Sequence, residues 1–402
     1  MTGAAEHLAR WAVALDPTPD DLALADRSLR DTVAVTLAAR EDPVRKLTAS
    51  LPEAARWATL GHVLDFDDLH MESTTHISVV CVPTVLATGG PADRRARAYL
   101  AAAGVMARLG MALGWDHYSS GWHATCTAGA PAAAAGAAVA LGLDADGVAR
   151  AMALAVPAAG GVQRAFGTSG KSLQVGFAAD AGLRAARLAA AGASADPSAL
   201  DQWLGLVGGR ADRLDLSGPA VPGGLAIKIY PCCYALQRPI AAMREIRDGV
   251  AVAPGEIERI TISTPEGTVQ PLIHHRPDTG LQGKFSLEYA LAAAVLDDHP
   301  GFAAFTDTAV RRDAARDLVT RVEVGTEPGG EWLLAGEATV GVRLRDGAER
   351  TTTLKLPPGS PGRPPDAAEL AAKIADCTGD LAATVTTLTW TDAPDLLRAQ
   401  LP

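Results

Sequence analysis

The stretch LDFDDLHMESTTHIS, residues 64–78, gathers four carboxylates and two histidines in a chain otherwise rich in Ala, Leu, Val and Gly. Apolar segments flank it on both sides, ARWATLGHVL before it and VVCVPTVLATGG after it. Charged groups between buried segments are stable only when they are paired, hydrogen-bonded or bound to a ligand. A solvated loop joining two helices is the alternative interpretation. The alternation of acids with large apolar residues, together with two histidines, favours a functional site.

Composition limits the fold and the partners. The chain has 402 residues, enough for two or three domains, and 48% of them are hydrophobic but only 4% are aromatic. Its core must therefore be built from Ala, Leu and Val, which suits closely packed helices better than a β-sandwich. The net charge is -10, and no stripe of Lys and Arg is present. Nucleic acid is therefore not expected as a partner.

The five cysteines predict a reducing compartment. Their number is odd and two are adjacent, which fits neither a disulfide framework nor a zinc spacing (Cys81, Cys126, Cys232, Cys233, Cys377). The amino-terminal segment has early acidic residues and no long apolar core, so we expect no signal peptide. These features together predict a cytoplasmic protein.

One uncharged run, Cys126–Leu143, is as long as a membrane span. It consists mostly of Ala and Gly and contains Pro131, so it would gain little free energy on entering lipid. We therefore predict a helix buried in protein, whose small side chains let neighbouring helices approach closely. No membrane is expected as a partner.

Helical patterns dominate from Thr18 to about Leu225. Thr18 to Asp21 supplies a capping hydroxyl, a proline at the first position and acids in the first turn, which predicts a helix running to about Arg40. Three further predictions are a helix from Pro91 to about Gly114, two helices joined at Gly142–Asp144, and a helix over Lys171–Ala191. Hardly any strand is expected in this part of the chain.

The pattern changes after residues 227–231, IKIYP. Residues 257–263 alternate with period two, as in a half-buried strand, and residues 338–344 and 351–356 flank Asp346-Gly347 as a hairpin would. Helical pattern returns from Asp366. The predicted fold is mainly α: a large all-α helical domain, residues 1–229 completed by 359–402, is interrupted by a smaller α+β lid domain, residues 230–358.

Four further residues are candidates for the site. His123 lies in GWHATC, Lys171 begins a helix in TSGKS, Lys228 lies between apolar residues in LAIKIYPCC, and Tyr289 lies in GKFSLEYA. A structural role is the ordinary interpretation of the histidine and the tyrosine. The two lysines are in places that suit anion binding. Lysines, aspartates and histidines together suit proton transfer next to a carboxylate-bearing carbon.

Two metal sites are rival interpretations of the same stretch. Asp67, Asp68 and Glu72 resemble the aspartate-rich magnesium motif of all-α terpene synthases, but the second ligand set of those enzymes is missing. A mixed site of Asp68, His70 and His76 stays open on spacing alone. We nevertheless expect no metal.

Four motifs in order carry a resemblance to a known family: HVLDFDDLHMESTTHISVVCVPTVLA, GWHATCTAGAPAAAAGAAVALGLD, GTSGKSLQVGFAADAG and IKIYPCCYALQRPI. Their order and spacing resemble the MmgE/PrpD family, which includes 2-methylcitrate dehydratase, cis-aconitate decarboxylase and iminodisuccinate epimerase. The resemblance covers nearly the whole chain. It implies a helical domain with an α+β lid, a homodimer, and a pocket between the domains that needs no metal or organic cofactor.

Carried over by motif, the resemblance implies six catalytic residues: Asp65, His76, His123, Lys171, Lys228 and Tyr289. Two positions depart from the family pattern. Leu69 stands where the family often has Thr, and Gln237 stands where it often has a histidine. Both changes make the pocket less polar or less basic, which argues against a highly charged tricarboxylate substrate.

The function implied is a cofactor-independent lyase acting on a small carboxylate. The first expectation is a dehydratase of a β-hydroxy carboxylate. The alternatives are a decarboxylase or an epimerase of a di- or tricarboxylate, which the same residues would support. A carboxylate-binding homologue without activity is the alternative from another class.

Overall fold

The computed structural model describes residues 3–249, 253–329 and 333–402. The protein is mainly α, with 60% of its residues in helices and a small four-stranded sheet. The first part of the chain is helical: α1 (Ala4–Ala14), α2 (Pro19–Ala38), α3 (Val44–Thr48), α4 (Glu53–Val63), α5 (Ser78–Thr88), α6 (Arg95–Ser119), α7 (Ala124–Ala140), α8 (Ala145–Ala155), α9 (Ser169–Ala190) and α10 (Ser198–Leu206).

The second part mixes helices and strands, and the third part is helical again. The second part comprises α11 (Gln237–Gly249), β1 (Ile257–Pro265), α12 (Glu266–Val269), α13 (Gly280–Gly283), α14 (Leu287–Leu296), α15 (Asp307–Val310), α16 (Asp313–Val319), β2 (Val322–Glu327), β3 (Ala338–Leu344) and β4 (Glu349–Leu354). The third comprises α17 (Ala367–Thr378), α18 (Ala382–Thr386) and α19 (Ala393–Gln400). The predicted fold class, mainly α with a smaller α+β part, is confirmed.

The start of α2 follows the capping rules, but one predicted helix end is different. The Thr18 hydroxyl accepts a hydrogen bond from the Asp21 amide and so caps α2, as predicted. Gly114 does not end α6. It adopts φ 73°, a left-handed conformation that glycine tolerates, and the helix continues in a new direction to Ser119. Gly114 is therefore a kink rather than a terminus.

Small side chains let the central helices pack closely. Every residue of α7 is buried, and α7 packs against both α6 and α9. At Gly182 in α9, an added Cβ would lie 2.4 Å from the Cβ of Ala133. Helix α6 is long and apolar enough to cross a membrane, but 83% of its most apolar stretch is buried inside the protein. This burial is what a core helix requires.

The sheet has the strand order β2-β1-β3-β4. β1 pairs with β2 in parallel and with β3 antiparallel, and β3 and β4 form the predicted hairpin. Ile260 and Ile262 of β1 are buried and lie opposite Val342 and Val340 of β3. Their period-two burial is the alternation seen in the sequence.

Buried hydrophobic residues form two clusters. One belongs to the helices of residues 4–225 and 374–401, and the other draws mainly on residues 226–344. The two chain segments that join these parts touch each other, since the Ile227 amide donates to the Gly359 carbonyl oxygen at 2.9 Å. The boundaries of the two domains as separate units stay a prediction. The first cluster and its helices are called the helical part, and the second cluster with the sheet is called the α+β part.

Candidate active site

The acidic stretch is a loop between α4 and α5, anchored at both ends. Asp65 follows directly after α4 and has φ 53°, a left-handed conformation that is unusual for a residue other than glycine. The Lys228 ammonium stabilises this turn, donating to the Asp65 carbonyl oxygen at 2.8 Å and to Asp65 Oδ1 at 2.5 Å. Further along, Leu69 and Ala226 exchange backbone hydrogen bonds. The loop is thus tied to the segment that carries Lys228.

Five buried side chains form a closed ring of polar contacts, called the buried ring here. Asp65 Oδ1 lies 3.3 Å from Lys171 Nζ, which lies 2.7 Å from His62 Nε2. His62 Nδ1 lies 2.8 Å from Asp67 Oδ2, which lies 3.0 Å from His76 Nδ1. His76 Nε2 closes the ring at 3.8 Å from Asp65 Oδ1. Lys228 joins the ring through Asp65.

The charges of this cluster balance. Burial would raise the pKa of Asp65, but Lys171 and Lys228 outweigh it and hold that pKa far below its usual range. Burial would likewise lower the pKa of Lys228, but the attraction of Asp65 and Asp67 raises it instead. Two carboxylates therefore face two ammonium groups. A buried arrangement of this kind is stable only while all partners are present.

The histidines of the site are neutral. Burial lowers the pKa of His76 to about 3 despite the neighbouring Asp67, and burial with Lys171 nearby lowers that of His123 well below its usual range. Burial also lowers the pKa of His62. Because the Lys171 ammonium can only donate, His62 Nε2 accepts from it and His62 Nδ1–H donates to Asp67. Neutral histidines can take up a proton.

A small cavity of about 20 Å³ borders the ring. Four buried polar atoms at or next to this cavity lack a hydrogen-bond partner: Asp65 Oδ2, Asp67 Oδ1, His76 Nδ1 and His123 Nε2. His76 Nδ1 is near Asp67, but the ring N–H is not aligned with the carboxylate. Unpartnered polar groups gathered around one cavity are suited to a polar ligand.

Aromatic rings keep the cavity dry on the side of Lys171. Its Nζ lies 5.3 Å from the ring centres of both Phe166 and Phe285, and both rings line the cavity. His123 packs edge-to-face on Phe166 and hydrogen-bonds Cys126 through Nδ1 at 3.2 Å. Electrostatic contacts are stronger in such a water-poor setting.

The structure brings five of the six predicted residues together: Asp65, His76, His123, Lys171 and Lys228. Tyr289 lies elsewhere. It is buried in the core of the α+β part, where its hydroxyl donates to the Ala304 carbonyl oxygen. The catalytic roles of the six residues stay predictions.

Sequence reasoning missed His62. It lies in the last turn of α4, and its ring links Lys171 to Asp67. One sequence feature could have indicated His62. It lies five residues before Asp67, at a helix end that leads into an acidic loop. The sequence pattern indicated a role for Asp67 only as a metal ligand.

Other polar residues of the loop support its shape. Both Asp68 oxygens accept from Ser78, whose hydroxyl also contacts Tyr99 at 2.7 Å. Burial raises the pKa of Asp68 to about 7. His70 contacts Ser73 and the Pro222 carbonyl oxygen. Since Asp68 and His70 have these other partners, they do not form a common metal site with His76.

A different trio, His62, Asp67 and His76, offers donor atoms within 4.8 Å of one another. Two features disfavour a cation there. Lys171 fixes His62 so that Nδ1 carries a hydrogen, which blocks the lone pair a metal needs. Two buried ammonium groups also lie close by and repel a dication.

Comparison with known proteins identifies the family. Residues 44–209 match the MmgE/PrpD N-terminal domain, and residues 230–389 match the MmgE/PrpD C-terminal domain. The chain belongs to the MmgE/PrpD family. This family includes dehydratases and decarboxylases. The chain therefore belongs to a family of lyase-like enzymes.

Two curated relatives within the MmgE/PrpD family carry a more specific name. Both are described as cis-aconitate decarboxylase, one from Aspergillus terreus (strain NIH 2624 / FGSC A1156) and one from Aspergillus terreus. Each is 26% identical to this chain over 73% of its length and 68% of the relative's.

The two departures from the MmgE/PrpD pattern have structural explanations. Leu69 lines the cavity with an apolar side chain. Gln237 is buried, and its Oε1 accepts from the amides of Ile229 and Tyr230 while its Nε2 donates to the Tyr230 carbonyl oxygen. Gln237 therefore shapes the segment that carries Lys228 and does not line the cavity.

Proposed function

We propose that this protein is a cofactor-independent lyase that moves a proton at a carbon next to a carboxylate, most specifically a dehydratase of a β-hydroxy carboxylate. The observation that carries the proposal is the convergence of Lys171 and Lys228 on Asp65, beside the neutral His76. A carboxylate substrate is the natural ligand of two buried lysines, and a neutral histidine is the natural acceptor of its α-proton.

In this mechanism the lysines hold the substrate carboxylate and stabilise the enediolate charge that develops on it. His76 takes the proton from the α-carbon, and the bond to the β-hydroxyl breaks. The departing hydroxide takes the proton that His76 has gained and leaves as water, so that His76 is neutral again and a carbon–carbon double bond remains. His123 has a free Nε2 at the same cavity and is the proposed second proton carrier. Asp65 Oδ1 is already shared between Lys171 and Lys228, so the proposed role of Asp65 is to orient the lysines.

Decarboxylation is the second candidate, and the two cis-aconitate decarboxylase relatives favour it. Carbon dioxide would leave, and the resulting carbanion would take a proton that a histidine relays from water. An epimerase would use the same residues to remove a proton and return it. Loss of activity with retained carboxylate binding is the remaining alternative.

The test is incubation with a panel of hydroxy- and unsaturated di- and tricarboxylates in deuterated water. Loss of water from a hydroxy acid, together with deuterium on carbon when the unsaturated acid is hydrated in the reverse reaction, supports the dehydratase. Release of carbon dioxide supports the decarboxylase. Binding without turnover would overturn both. Activity should survive treatment with a chelator. A loss of activity on chelation that magnesium, manganese or zinc restores would overturn metal independence.

A cytoplasmic homodimer with no nucleic-acid or membrane partner is also part of the proposal. The family resemblance supports the dimer, and the acidic net charge of -10 supports the absence of a nucleic-acid partner. Light scattering on the purified protein would test the dimer directly.

A further inference from the structure

A cleft of about 670 Å³ lies between the helical part and the α+β part, separate from the small cavity. We call it the apolar cleft. Nine of its fifteen lining residues are apolar: Ala38, Pro43, Val44, Leu47, Val63, Leu64, Leu281, Phe302 and Phe305. The others are Asp42, Ser169, Gly280, Lys284, Thr306 and Asp307.

Residues adjacent in the sequence line the apolar cleft and the small cavity. Leu64 lines the cleft, and the next residue, Asp65, lines the cavity. In the same way Lys284 lines the cleft and Phe285 lines the cavity. One wall comes from the helical part and the other from the α+β part. A small separation of the two parts therefore joins the two spaces.

Lys284 places a charge at the inner end of the cleft. Its ammonium donates to the carbonyl oxygens of Leu64, at 2.6 Å, and Pro231. Among the described residues no carboxylate forms a direct ion pair with it, although Asp65 and Asp42 attract it from a greater distance. An ammonium has three N–H groups, so one remains for a ligand. Burial lowers the pKa of Lys284 only to about 8, so it is cationic at neutral pH and lacks an anion.

The mouth of the cleft carries fixed negative charge. Asp42 accepts from the Val44 amide at 2.9 Å, and Asp307 accepts from the Gly280 amide at 2.8 Å. These contacts hold both carboxylates in place. Asp307 also pairs with Arg311 at 3.5 Å, so Asp42 is the carboxylate that repels a second anionic group on a ligand. The space between a buried cation and two acids thus suits one carboxylate followed by an apolar chain.

We propose that the apolar cleft binds the alkyl chain of the substrate, so that the substrate is a carboxylate with an apolar chain rather than a small tricarboxylate. This inference rests on the proposed function for the chemistry at the carboxylate end. The carboxylate passes Lys284 to reach Lys171 and Lys228 when the two parts separate, and the chain stays in the cleft. Leu69 in the small cavity is in keeping with such a substrate.

The test measures binding of butanoate, hexanoate and octanoate by calorimetry. Each buried methylene strengthens binding about fourfold, so octanoate should bind the wild-type protein roughly 200-fold more tightly than butanoate. Leu281→Trp fills the cleft and should abolish this gain. Leu47→Glu charges its mouth, at a residue that is 59% exposed and tolerant of change, and should reduce the gain. The control Leu206→Trp, at a residue 78% exposed and outside the cleft, should behave as wild type.

Equal affinity for the three acids, or an undiminished gain in both folded cleft variants, would overturn the inference. Turnover of the matching 3-hydroxy acids separates it from the proposed function. Chain-length-dependent binding without any turnover removes the dehydratase proposal and leaves the cleft as a binding site. Turnover that is insensitive to chain length removes the cleft and leaves the dehydratase.

Discussion

At the scale of single residues, Asp65 is a carboxylate that two ammonium groups share. Lys171→Met and Lys228→Met should each lower kcat/KM by roughly 30-fold or more, because each removes a charge-assisted contact to the substrate. Each should also cost about 3–5 kcal/mol of folding free energy, since Asp65 stays buried with less compensation. Kinetics and thermal unfolding measure the two effects.

A double variant separates these effects. Asp65→Asn with Lys228→Met removes both members of the pair and should regain stability without regaining activity. Lys355→Met, at an exposed position of the α+β part, should be nearly silent. Wild-type kinetics in both single lysine variants would show that the proposed site is misplaced.

His62 acts through two neighbours, which two substitutions distinguish. His62→Asn keeps a donor for Asp67 but loses the acceptor for Lys171, so we expect KM to rise about tenfold with kcat nearly unchanged. His62→Gln keeps the acceptor for Lys171 but frees Asp67, whose carboxylate lies 3.0 Å from His76 Nδ1, so kcat should fall about tenfold with little change in KM. Steady-state kinetics of the two variants provide the test. The same pattern in both, or no change, would refute a positioning role.

Asp68 makes stability depend on pH in a definite direction. Its pKa is about 7 in the folded protein against 3.8 for an ordinary aspartate, so the folded protein binds more protons than the unfolded chain between these values. The contribution of Asp68 to stability therefore falls as pH rises from about 4 to 7. Relative to wild type, Asp68→Asn should gain about 2–3 kcal/mol between pH 5 and pH 8 in denaturant unfolding.

An exposed aspartate gives the control for this measurement. Asp93→Asn should show no such trend with pH. A stability difference between Asp68→Asn and wild type that does not change with pH would contradict the raised pKa.

Motif residues were easier to predict than the contacts that hold them. Asp65, Lys171 and Lys228 lie in distinct local patterns, and the structure brings them together. The link between His62 and Lys171 joins residues 109 positions apart, and no local pattern reports such a contact. Tyr289 also lies in a matched motif, but an alternative partner in its own core, the Ala304 carbonyl oxygen, satisfies its hydroxyl.

At the scale of elements, the approach of α7 and α9 depends on glycine. Gly182→Ala would place a methyl group against Ala133 and the Ala130 carbonyl oxygen, and overpacking of this kind should destabilise the protein by about 1–3 kcal/mol. The matched control is Gly205→Ala in α10, where nothing lies within 4 Å and stability should rise by about 0.4–1 kcal/mol. Equal effects in thermal unfolding would refute the packing argument.

Local chemistry predicted helix starts better than helix continuations. Thr18 and Asp144 mark the starts of α2 and α8, because their side chains accept hydrogen bonds from nearby backbone amides. Glycine often ends a helix, but Gly114 forms a kink instead, because packing on both sides of it stabilises a further helical turn. Tertiary packing of this kind is not visible in a local pattern.

At the scale of the whole molecule, the small cavity of about 20 Å³ has too little room for a di- or tricarboxylate. We therefore predict that the helical and α+β parts separate and close again around the substrate. We expect a bound substrate analogue to slow hydrogen exchange in the two connecting segments, residues 227–231 and 357–365. Exchange in β4 should be unchanged. Identical exchange in the free and bound protein would refute the predicted lid motion.

The junction where Ile227 contacts Gly359 divides the helical part into two stretches of chain, and this division affects how the protein folds during synthesis. Helix α17 packs on α2, and its Lys373 pairs with Asp31 at 2.8 Å, so the first core lacks a cover until α17 is made. A ribosome adding about 5–20 residues per second needs roughly seven to thirty seconds to pass from residue 230 to the end of α17. Throughout that time the nascent helical part exposes the surface around Asp31. Chaperones that bind unfinished chains would meet the protein at this face.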